Sequence, residues 1–101
     1  MKASIEHWDI AGQRVHASLE SEGSPELYVC VACYETEEAR GWHTDRTDTV
    51  LRVDERAQVM DENGDPCDTM DLSENAREAI EDALAPLFQE EQVWRGIDAV
   101  A

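Results

Sequence analysis

From Asp71 to Trp94 apolar residues return every three or four positions, at Ala76, Ile80, Ala83, Leu84, Leu87, Phe88 and Trp94, while Glu74, Glu78, Glu81 and Asp82 hold another side. That period fits one face of an α-helix and not a strand, so the stretch predicts an amphipathic helix whose apolar stripe is buried against the rest of the chain. Asp71 and Ser73 are both helix starters, because a side-chain oxygen there can accept a hydrogen bond from a free N–H of the first turn; Asp71 with Glu74 has the spacing of a capping box. Pro86 lacks an N–H and crowds the Asp82 carbonyl, yet the apolar phase continues beyond it. The reading is a Pro-kinked helix, or two abutting helices, ending at Arg95 and Gly96. Ile97 to Ala101 is read as a frayed tail, leaving 1–96 as a single domain.

A helix with one apolar stripe needs a sheet or a second helix beneath it, and the preceding residues alternate as strands do. Ser4 to Ile10 and Arg14 to Ser21 read as two short strands joined by Ala11, Gly12 and Gln13, the second placing Val15, Ala17 and Leu19 on one face. The first is irregular, with His7 and Asp9 on the side of Ile5 and with Trp8 and Ile10 opposite. Leu27 to Tyr34 is apolar on both faces, with Leu27, Val29, Val31 and Cys33 against Tyr28, Cys30, Ala32 and Tyr34. One helix covers only one of them, so the other calls for a loop, a partner or a second copy, and a homodimer burying Tyr28, Cys30 and Tyr34 is expected.

Glu35 to Arg46 reads as a polar connection carrying Trp42 and His43, and Thr49 to Met60 as a strand with a bulge or bend at Glu55 and Arg56. Asp61-Glu62-Asn63-Gly64-Asp65-Pro66 is a hairpin turn, Asn-Gly being its strongest signal, and a short strand through Cys67 and Met70 leads to the helix. The fold class that follows is α+β: an antiparallel sheet of four to five strands, then one C-terminal helix packed on one face.

Charge limits the partners. There are 24 Asp and Glu against 8 Lys and Arg, a formal net charge of −16. Between Asp61 and Glu91 Arg77 is the one base among eleven acids. Such a field repels nucleic acid, anionic membranes and anionic substrates, and attracts basic proteins. Salt adaptation and simple solubility are the other readings of the same charge. With no apolar run long enough to span a bilayer and no signal-like start, a cytoplasmic location is expected.

Three motifs invite chemistry. Asp61, Asn63 and Asp65 match the first ligand positions of a calcium loop, but Pro66 stands where Gly is required and Leu72 where the bidentate Glu belongs. Cys30 and Cys33, with Cys67 and a His, add up to four zinc ligands. Three residues apart on a strand, however, the pair points to opposite faces, so buried small side chains are the better reading, and no metal or cofactor is expected. His7, His16 and His43 stand in no nucleophile elbow or phosphate loop, which argues against an enzyme.

In size, acidity, strand plan, the Asp61 to Asp65 turn and the final acidic helix, the chain resembles small phage- or prophage-encoded proteins of the anti-CRISPR and anti-restriction inhibitor type. The resemblance implies a non-enzymatic inhibitor that sets carboxylates where a basic, nucleic-acid-binding host protein expects phosphates. It assigns no role to individual residues. From the residues themselves, Glu74, Glu78, Glu81 and Asp82 are the candidate contact surface, with Trp42 and His43 as a second contact. A phage structural or accessory protein that self-associates through its sheet is the alternative.

Overall fold

A computed structural model describes the backbone of residues 1–9, 13–39 and 47–100, and side chains over 1–9, 13–38 and 49–90. Five strands, β1 (Lys2–Asp9), β2 (Arg14–Glu20), β3 (Leu27–Ala39), β4 (Thr47–Met60) and β5 (Pro66–Asp71), precede a single helix, α1 (Glu74–Val100). The strands form one antiparallel sheet in chain order, and α1 lies across one face against β1 and β4. This is the α+β architecture expected from the sequence.

The core is the helix-side face. Val15, Ala17, Leu19, Val29, Val31, Cys33, Leu51, Val53 and Ala57 of the sheet meet Leu72, Ala76, Ile80, Leu84 and Phe88. The helical stripe is narrower than its period implies, because Leu87 remains 38% exposed. The Trp94 side chain lies outside the described residues. Pro86 falls on the exposed side and α1 continues through it and through Gly96 to Val100 as one helix, beyond the end expected at Gly96.

Two of the three register breaks in the sheet explain the uneven alternation of β1 and of mid-β4. In β1, Ile5 pairs with Ala17 but His7 pairs with His16, so Glu6 is the extra residue of a bulge. The bulge reverses the side-chain phase and lets both Ile5 and Trp8 pack on the core, where Trp8 meets Phe88 edge-on at 6.2 Å. In β4 the break falls between Val53 and Ala57, opposite Cys33 and Val31, at the bend expected around Glu55 and Arg56.

Local chemistry sets the remaining ends. Asp61 Oδ1 accepts the N–H groups of Asn63 and Asp65, both at 2.9 Å, and Gly64 takes the positive φ of 83° that the β4–β5 turn requires. At the start of α1 the capping residue is Ser73, whose Oγ accepts the Ala76 N–H at 3.1 Å. Asp71 instead ends β5, so the expected Asp71 and Glu74 capping box does not form. Residues 35–39, expected in a connection, extend β3 and pair with Thr47 to Leu51.

Candidate functional site

The helix presents a row of carboxylates to solvent. Glu74, Glu78 and Asp82 are exposed, each four residues from the next, and none has a hydrogen-bond or ion-pair partner among the described residues. Neighbours at that spacing repel by roughly 0.2–0.5 kcal/mol per pair, so the row is sustained without an internal return. Pro86 leaves the Asp82 carbonyl without its helical donor, and both residues lie on the exposed side of the helix.

Glu81 does not belong to that row. Its Oε2 accepts the Val53 N–H at 3.1 Å, and its Oε1 accepts from Arg52 Nη1 at 3.3 Å. Arg52 also holds Glu38, donating from Nε at 3.1 Å and pairing through its second nitrogen, and this contact holds the guanidinium above its ordinary range. Since β5 pairs with β4 only from Arg56 to Met60, Val53 lies where the edge of β4 is open, and Glu81 covers its N–H. Helical spacing suggests that Arg77 would pair with Glu81. Instead the Arg77 Nε is buried with no hydrogen-bond partner among the described residues. Trp42 and His43, the other expected contact, lie outside the described residues.

The second surface is the sheet face away from α1. Tyr28 and Tyr34 stand 43% and 44% exposed there, whereas Cys30 is 7% exposed within the single chain. His7, His16 and Cys30 line up across β1, β2 and β3: the two imidazoles are 5.8 Å apart, and His16 Nε2 lies 3.6 Å from Cys30 Sγ. Cys33 is in the core, so the C-x-x-C pair does project to opposite faces. Burial pushes the Cys33 thiol up, opposed in part by the Trp8 side chain. Cys67 is exposed and its Sγ donates to the Val59 carbonyl at 3.3 Å. Among the described residues no three His, Cys, Asp or Glu side chains gather so as to hold a metal ion.

A groove of about 420 Å³ opens on this face, lined by Glu6, His16, Tyr28, Met60, Asp61 and Glu62 among others. The Tyr28 hydroxyl donates to Glu26 at 3.2 Å and is held above its ordinary range, first by the Glu26 charge, with Glu6 and Glu20 adding to it. Carboxylates therefore act on the hydroxyl of an exposed tyrosine. Sequence reasoning finds Tyr28 but not the groove, since Glu6, Tyr28, Met60 and Glu62 are brought together only by the pairing of separate strands and the β4–β5 turn.

Comparison of the chain with protein-family models, curated proteins and solved structures finds no match. Among the described residues no helix is long and apolar enough to cross a membrane.

Proposed function

We propose that this is a non-enzymatic acidic binding protein that occupies the basic, nucleic-acid-binding surface of a host protein in the host cytoplasm, as an inhibitor of the anti-CRISPR or DNA-mimic kind. The observation that carries the reading is the exposed, unpartnered row of Glu74, Glu78 and Asp82. Their Cβ atoms stand about 5–6 Å apart along the helix, on the scale of the step between neighbouring phosphates, and arginine pairs with carboxylate as it does with phosphate. The overall charge of −16 favours encounter with a basic surface and disfavours direct nucleic-acid binding.

The test is capture of host proteins at low and high salt by the wild type and by a variant carrying Glu74→Gln, Glu78→Gln and Asp82→Asn. The variant should keep or slightly gain stability and lose binding, and wild-type affinity should fall with salt less steeply than DNA binding does, a protein surface releasing fewer counterions than a polyanion. A captured basic partner whose affinity is indifferent to the three changes defeats the reading.

The exposed Tyr28 and Tyr34 favour a second reading, an accessory or structural phage protein that pairs through its open sheet face. Light scattering separates the two, since this reading requires a homodimer at micromolar concentration.

A further inference from the structure

We propose that the groove on the open sheet face receives an arginine side chain projecting from the basic partner, an inference that rests on the reading above and assigns it a second contact. The groove's 420 Å³ falls within the range of ligand clefts, about 300–1,000 Å³. Tyr28 stands at the groove, 43% exposed, with Glu26 hydrogen-bonded to its hydroxyl and Glu6 lining the same groove. A cation over such a ring is held both by the ring's negative face and by the neighbouring carboxylates.

The two acids that line the groove and have no partner among the described residues are Glu6 and Glu62; Asp61 is already committed to its turn. Glu6 comes from the β1 bulge and Glu62 from the β4–β5 turn, so carboxylates reach the groove from separate elements, with no Lys or Arg among the described lining residues. Met60 supplies an apolar, adaptable wall suited to a three-carbon stem. An apolar wall for the stem, an aromatic ring for a planar cation and acids for its N–H donors together match arginine better than lysine, whose compact ammonium neither stacks nor bonds bidentately. A second copy of this chain fits poorly, because it brings the same carboxylates and a charge of −16 to the contact.

The test titrates the intact protein by calorimetry with a short arginine–glycine peptide and with a lysine–glycine peptide of equal length and charge. The wild type should prefer arginine several-fold. Tyr28→Ala should lower arginine-peptide affinity by roughly two- to thirty-fold and abolish the preference, while Tyr28→Phe keeps it. Glu6→Gln with Glu62→Gln should weaken both peptides, and thermal melting of each variant checks that the fold persists. Equal affinity for the two peptides, or a preference that survives Tyr28→Ala, overturns the groove. The reading it rests on is decided separately, by the helix variant against the captured host protein.

Discussion

Glu81 anchors α1 to the backbone of Val53: one oxygen accepts the Val53 N–H at 3.1 Å, and the other meets Arg52 at 3.3 Å. A helix carboxylate thereby takes up one edge N–H near the point where β5 stops pairing, so that donor is not offered to a strand of another chain.

Removing that acceptor leaves a backbone donor and a guanidinium short of a partner. Glu81→Ala should therefore cost about 1–3 kcal/mol, and Glu81→Gln less, because its carbonyl can still accept the Val53 N–H. Glu78→Ala, on the exposed row, should change stability by no more than about 0.5 kcal/mol. Denaturant unfolding compares the three variants, and equal midpoints for Glu81→Ala and Glu78→Ala would show that the edge contact contributes nothing.

The helical stripe makes a sharper prediction now that its limits are known. Leu84→Ala and Phe88→Ala empty the core and should each destabilise by roughly 2–5 kcal/mol. Leu87→Ala, at a position 38% exposed, should cost far less than either. A loss at Leu87 matching that at Leu84 in calorimetric melts would contradict the observed helix rotation.

The cysteines should separate by reactivity and by pH. Cys67 is exposed and should take up a thiol reagent in the folded state, while Cys30 and Cys33 wait for unfolding. For Cys33 the folded thiol pKa lies above its unfolded value, near the ordinary thiol value of about 8.5, so its contribution is complete below that pH. The contribution is lost as pH rises from there through the raised folded value, when unfolded thiol ionises and folded thiol does not. Melting temperature should fall more steeply over that alkaline window in the wild type than in Cys33→Ala, and parallel profiles would dismiss the effect.

Much of the plan is legible in the sequence because most strands alternate and the helix has its own period. The extension of β3 is not: Glu35, Thr36, Glu37 and Glu38 present no apolar face, and they are strand because β4 pairs with them. Likewise Asp71 and Ser73 are equivalent as caps until the end of β5 claims Asp71. In the candidate site, helical spacing places Glu74, Glu78 and Asp82 in solvent but cannot show that Glu81, beside them, meets a sheet edge built far away in the chain. The groove is still less visible, since Glu6, Tyr28, Met60 and Glu62 come from three strands and a turn.

The strand order follows the chain, so each pairing within the sheet joins neighbours in sequence, and the remote closure is that of α1 on β1. In kinetic terms the sheet consists of contacts with low loop-closure cost that can zip in succession, and docking of the helix comes late. Truncation at Leu84 should then act chiefly by accelerating unfolding, with the refolding rate nearly unchanged, a division that stopped-flow mixing resolves and that a slowed refolding limb would contradict.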